Sequence, residues 1–185
     1  MKKIYWVLLA VVVIVVGYFW TSYNGFVTLQ QGVESKWSNV ETQYQRRSDL
    51  IPNLVATVKG YATHEQETLE QVVAARSAAT SVTGNTTEFA AAQEGVTSAL
   101  SRLIAIAEQY PDLKANQNFL ELQSQLEGTE NRIAVARQEY NEMVKRYNIA
   151  ISKFPAKVVA SMFGFEKSEL FKAAGGSAEA PKVEF

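Results

Sequence analysis

The chain has 185 residues, of which 47% are apolar and 20% charged, and its 18 basic and 19 acidic side chains leave a formal net charge of −1. That length suits one domain with a real core, and the interspersed charges exclude the clustered basic field that nucleic-acid binding needs. There is no cysteine, which excludes disulfides, thiolate nucleophiles, thiolate metal sites and a lipidated N-terminal cysteine.

From Ile4 to Trp20 every residue is apolar, aromatic or Gly, and no charge appears between Lys3 and Glu34. Seventeen residues of helix cover about 25 Å, close to the hydrocarbon thickness once Thr21 to Tyr23 are added. Tyr5, Trp6, Tyr18, Trp20 and Tyr23 cluster at the two ends, where amphipathic rings meet the headgroups. A cleaved signal peptide would need small residues after the apolar run, whereas Gly17-Tyr18-Phe19-Trp20 is bulky. The run is therefore expected to remain as an anchor. Lys2 and Lys3 predict a cytoplasmic N-terminus with the rest of the chain outside, in the cell (inner) membrane.

Beyond the anchor, helix signals dominate. Val33, Trp37, Val40 and Tyr44 recur at alternating intervals of four and three, a coiled-coil-like stripe. No proline interrupts Ile4 to Ile51, so anchor and first bundle helix form one rod, with Gly25 and Gly32 as places where it could bend. Pro52 suits the first turn of a second helix, whose face carries Leu54, Val58, Tyr61, Leu69, Val72 and Arg76 up to about Ala79. Ser81 to Thr87 is a loop by composition. Asn85 and Glu88 have capping-box spacing for a third helix, with Phe89, Ala92, Val96, Leu100, Leu103 and Ala107 inward and a stop at Tyr110-Pro111.

In the fourth helix Phe119, Leu126, Ile133, Tyr140, Tyr147 and Phe154 are spaced by seven, with Leu122, Thr129, Ala136 and Met143 in the intervening core row. About 40 such residues make a helix on the order of 60 Å long, ended by Pro155. Two short helical pieces follow, Ala156 to Phe163 closed by Gly164 and Ser168 to Ala173. Together these predict an all-α fold: an N-terminal transmembrane helix followed by an antiparallel four-helix bundle with long helices. The expected domains are an anchor over 1–23 (membrane span about 4–20), a bundle over 24–174 and a flexible tail over 175–185.

Chemistry-bearing patterns are sparse. His64-Glu65-Gln66-Glu67-Thr68 lacks the second histidine four residues on, so two metal ligands cannot meet on one helix face. Carboxylate di-metal bundles use paired Glu-x-x-His motifs, and this chain has one histidine. Glu130 and Arg137, one heptad apart with Arg132 between them, suit interhelical ties to Arg46, Arg47 or Asp49. No catalytic, cofactor-binding or metal-binding residue is assigned, and no cofactor.

Several segments have a recognisable wording: Arg46-Arg47-Ser48-Asp49-Leu50-Ile51-Pro52-Asn53-Leu54, then Val58-Lys59-Gly60-Tyr61-Ala62 with His64-Glu65. Glu108-Gln109-Tyr110-Pro111-Asp112-Leu113-Lys114-Ala115-Asn116 follows, then Gly128-Thr129-Glu130-Asn131-Arg132-Ile133 with Arg137, and Tyr140-Asn141 with Tyr147-Asn148. Phe154-Pro155, Phe163-Gly164-Phe165 and Pro181-Lys182-Val183-Glu184-Phe185 close the series. In this order they resemble the LemA family over nearly the whole chain. The resemblance implies an N-terminal membrane anchor and a helical-bundle domain, and carries no established biochemical activity.

The expected function is a membrane-anchored, non-catalytic scaffold or adaptor. Its expected partners are the lipid bilayer, through the N-terminal helix, and another membrane or envelope protein; self-association is compatible with the pattern, and nucleic acid is not expected. The alternative is a membrane-shaping or lipid-surface-binding module; narrow apolar seams with acidic residues favour burial within protein over a helix lying on a bilayer. At the C-terminus, Lys182-Val183-Glu184-Phe185 follows a Gly/Ser/Ala linker. It is expected to pack back onto the bundle through Val183 and Phe185; the alternatives are docking as an added strand in a PDZ-type groove and simple disorder.

Overall fold

A computed structural model describes residues 2–62, 64–82 and 86–171. The described residues form six helices and no strand: α1 (Lys2–Lys59), α2 (Gln66–Ser81), α3 (Thr86–Ala107), α4 (Pro111–Lys114), α5 (Gln117–Ser152) and α6 (Ala156–Met162). The expected all-α class holds.

Helix α1 continues from the apolar run into the body without interruption, as the absence of proline before Pro52 predicts. Within the chain, residues 3–18 are all exposed, and this is the one helix among the described residues long and apolar enough to cross a membrane. Thr21 and Thr28 turn their hydroxyls back onto the carbonyls of Gly17 (3.0 Å) and Asn24 (2.9 Å). Their polar groups are thus satisfied inside the helix.

Pro52 does not open a second helix; it lies inside α1. A proline within a helix removes one N–H and strands the carbonyl four residues earlier, here that of Ser48. Arg76 of α2 supplies the missing donor: its Nε donates to the Ser48 carbonyl at 3.0 Å and to the Ser48 hydroxyl at 3.1 Å. The second helix accordingly starts at Gln66, after a turn in which the Tyr61 and Ala62 amides both donate to Val58 O. Tyr61, expected on the inner face, is exposed and accepts from Asn116 Nδ2 at 2.9 Å. Asn85, the expected cap of the third helix, lies outside the described residues.

The described residues divide into two compact units, 2–39 with 138–170, and 40–137 with Phe171. The second is a four-helix bundle. Ile51, Leu54 and Val58 of α1 share one core with Leu69, Val72 and Ala79 of α2, Val96, Leu100 and Leu103 of α3, and Phe119 and Leu126 of α5; Leu113 of α4 joins them. Side-chain hydrogen bonds show the antiparallel sense. Ser48 meets Arg76, Gln71 meets Arg102, and Tyr61 and Arg47 meet Asn116 and Glu130.

In the first unit α1 and α5 pair through small and aromatic residues. A Cβ on Gly32 would lie 3.1 Å from Met143 Sδ, so the helices approach closely there. Trp37 and Tyr140 rings stand 5.4 Å apart, and Lys36 Nζ donates to Glu139 Oε2 at 2.7 Å. Phe154 continues the sevenfold spacing but is 86% exposed, because α5 ends at Ser152, before that position comes round. Gly164, at φ 74°, closes α6 while the Phe165 amide reaches back to Ala160 O at 3.0 Å, a left-handed helix stop. The expected short helix from Ser168 does not form over 168–171. Instead Asn148 accepts from the Ser168 amide (3.0 Å) and donates to its carbonyl (2.9 Å), and Tyr140 donates to Glu169 O (3.0 Å). Side chains of α5 thus take the backbone groups that a helix would have paired internally.

Candidate functional site

The best-built polar feature is in the bundle, at Arg47. Val40, Tyr44, Arg47, Ile51, Leu54 and Val58 follow one another at intervals of three and four, so Arg47 occupies a core position of α1, and its residue is only 1% exposed. A buried guanidinium is costly unless its N–H groups are matched. Nη1 donates to Glu130 Oε1 (2.5 Å) and Thr97 Oγ1 (2.9 Å), and Nη2 to Gln93 Oε1 (2.7 Å) and Gln93 O (3.1 Å). The cation also sits 5.0 Å from the Tyr44 ring centroid. One side chain of α1 therefore ties α3 and α5 together.

Tyr44 extends this cluster. Its ring meets Phe89 edge to face at 5.1 Å, and its hydroxyl is hydrogen-bonded by Arg137. Burial pushes the Tyr44 phenol above its ordinary value, against the opposing pull of Arg137 and Arg47. Arg137 itself lies 5.0 Å from the Phe171 ring centroid, in a cation–π arrangement. The expected interhelical ties are thus redistributed: Glu130 belongs to Arg47, Asp49 is exposed and accepts from Gln45 Nε2 at 2.7 Å, and Arg46 and Arg132 are exposed. Gln93 and Thr97 had no signal beyond their place on the third helix. Arg47 did have one, its phase with Val40, Tyr44 and Ile51.

The zincin-like stretch does not assemble. His64 is exposed in the turn after α1, and Glu65 accepts from the Tyr110 hydroxyl at 3.0 Å. Losing that bond on ionisation raises the Tyr110 phenol, the hydrogen bond to Glu65 being the largest cause. Among the described residues no three His, Cys, Asp or Glu side chains are grouped to hold a metal ion. Where the end of α1 meets α2, a groove of about 530 Å3 is lined by Val55, Leu69, Val73 and Ala74 together with Lys59, Gln66 and Glu70. The Lys182–Phe185 tail lies outside the described residues.

The family model of the LemA family matches residues 36–185. Magnetosome protein MamQ 2 of Paramagnetospirillum magneticum is 29% identical over 175 residues, covering 81% of this chain and 64% of that protein. Magnetosome protein MamQ of Magnetospirillum gryphiswaldense is 30% identical over 174 residues, covering 80% and 64%. Protein LemA of Metamycoplasma hominis is 24% identical over 165 residues, covering 87% and 75%. The chain thus spans 64% of the length of the magnetosome relatives it matches. The matched span holds Arg47, Gln93, Thr97 and Glu130, which join α1, α3 and α5, and the chain belongs to the LemA family.

Proposed function

We propose that the chain is a membrane-anchored, non-catalytic scaffold whose bundle holds another membrane or envelope protein. The observation that carries this reading is the use made of Arg47. The most deeply buried charge in the bundle has its hydrogen bonds directed to Glu130, Gln93 and Thr97, so the strongest polar group stabilises the helices and is not held open toward a substrate. An apolar groove on α1 and α2 remains for contact with a partner. The magnetosome relatives are named for a cellular body and not for a reaction, which accords with a structural role. Lys2 and Lys3 support a cytoplasmic N-terminus with the bundle on the other side of the membrane.

Two measurements test the reading. A reporter active only outside the cytoplasm, fused after Phe185, is expected to be active; inactivity would reverse the orientation. Purification of the full chain in mild detergent is expected to recover a membrane protein at constant stoichiometry, lost on Val73→Arg while helicity and membrane retention persist. Recovery of the chain with no stoichiometric companion would overturn the scaffold role.

A further inference from the structure

We propose that α6 and its flanking turns lie on the membrane surface and bind anionic lipid headgroups, beside the point where α1 enters the bilayer. This rests on the anchored reading above and concerns a surface that the scaffold role does not use.

Position comes first. Twenty helical residues from Ile4 reach Tyr23 and span about 30 Å, so Tyr23 stands at the boundary between hydrocarbon and headgroups. The antiparallel pair of α1 and α5 brings a second element to that level. Gly32 faces Met143, and Tyr23 on α1 and Ser152 on α5 are equally far along their helices from that pair, in the same direction. Ring contacts close the arrangement: Tyr23 meets Phe163 at 4.9 Å and Phe165 at 5.7 Å, and Phe26 meets Phe165 at 5.3 Å.

The surface chemistry comes second. Val159 and Ala160 bury one side of α6, but Phe154 is 86% exposed, Met162 67%, Phe163 52% and Val158 48%. Val158 and Met162 are four residues apart and share one face of α6. Lys153, Lys157 and Lys167 are exposed in the same stretch, where Glu166 is the one acidic residue. Large apolar side chains interleaved with lysines are the composition of an interfacial helix, and lysines near an anionic leaflet are drawn to it. Water is an unfavourable neighbour for this face; the headgroup layer beside Tyr23 satisfies both its apolar and its basic groups.

The absence of cysteine permits a direct test on the full chain. Met162→Cys, Ser124→Cys on the exposed side of α5, and Val12→Cys in the anchor are each labelled with an environment-sensitive fluorophore. Each is reconstituted in phosphatidylcholine vesicles with or without phosphatidylglycerol, containing lipids brominated near the headgroup end of the acyl chain. Quenching at position 162 is expected to exceed that at 124 by at least about twofold, more so with phosphatidylglycerol present. Lys153→Glu with Lys157→Glu is expected to remove the phosphatidylglycerol increment. Quenching at 162 no greater than at 124, with the label at 12 quenched, overturns the inference and leaves the anchor intact. A label at 12 that is not quenched overturns the anchored reading and the inference with it. An unchanged increment in the charge-reversed chain overturns the anionic-headgroup assignment.

Discussion

Arg76 completes a helix to which it does not belong: its Nε donates to the Ser48 carbonyl, the acceptor that Pro52 leaves without an amide inside α1. A proline in a helix interior costs about 3 kcal/mol or more when its stranded carbonyl finds no partner. Here the partner comes from α2, across an antiparallel interface, so the irregularity in one helix is also a contact that holds two together.

Arg76→Met is therefore expected to destabilise the fold by about 1–2 kcal/mol, the cost of leaving a partly buried acceptor without its partner. In a Pro52→Ala background the residue-52 amide supplies the donor, and the same substitution should cost about 1 kcal/mol less. Urea unfolding in detergent micelles, followed by circular dichroism, gives both values. Equal losses in the two backgrounds would show that Arg76 acts on something other than the Ser48 carbonyl.

Arg47 and Glu130 form an ion pair whose two members sit in different environments: the Arg47 side chain is 2% exposed and that of Glu130 45%. Removing the buried member as Arg47→Ala is expected to cost about 3–5 kcal/mol, since Gln93 and Thr97 lose their donor as well. Glu130→Ala is expected to cost about 1–3 kcal/mol, because the guanidinium keeps Gln93 and Thr97 and solvent reaches the vacated side. A double-mutant cycle without coupling between 47 and 130 would contradict the geometry.

Tyr44, Tyr110 and Tyr147 all have phenols raised above the ordinary 10.0, Tyr44 and Tyr147 chiefly by burial and Tyr110 chiefly by its bond to Glu65. A raised pKa means the folded chain keeps these protons when the unfolded chain has begun to lose them. Their stabilisation is complete below pH 10.0 and is lost as pH rises through the folded-state values. Stability measured across this range should fall above pH 10.0, and Tyr110→Phe should make the decline shallower. An identical slope in that variant would argue against the Tyr110–Glu65 bond.

Gly32 sets the approach of α1 to α5. Ala at this position meets Met143 Sδ at 3.1 Å and Cε at 3.3 Å, but the methionine end is flexible. The helix preference for Ala over Gly, about 1 kcal/mol, offsets the squeeze, so Gly32→Ala should be near neutral. Gly32→Leu overfills the contact and should cost about 1–3 kcal/mol, recovered in part by adding Met143→Ala. Thermal unfolding of the four chains distinguishes these outcomes.

How much of this was legible depended on whether the signal was local. The apolar run from Ile4, the unbroken α1 and the inward row of α5 follow from composition and period, which are properties of one segment. Pro52 misled because the preference of proline for a first turn is local, whereas its tolerance here depends on Arg76, 24 residues along the chain. The Ser168 stretch misled in the same way, since Asn148 and Tyr140 capture its backbone from another helix. At the Arg47 cluster the expected ties left Arg46 and Arg47 both open, although Arg47 alone shares the phase of Val40, Tyr44 and Ile51. That Glu130 reaches this arginine beside Gln93 and Thr97, while Asp49 accepts from Gln45 on its own helix, followed only once three helices were packed.

The sevenfold spacing of Phe119, Leu126 and Ile133 has an ambiguity built into it. Sliding α5 by one repeat, about 10 Å, would return an apolar residue to each of these positions. Grease alone does not distinguish the two alignments. Arg47 does, because in the slipped arrangement Glu130 moves out of reach and a guanidinium is left buried with part of its hydrogen bonding unmet. The knot therefore works as an index mark, selecting one alignment out of several that the apolar stripe would accept. A chain in which Arg47, Gln93 and Glu130 were all made aliphatic would keep its helices and its compactness while losing the uniqueness of their alignment.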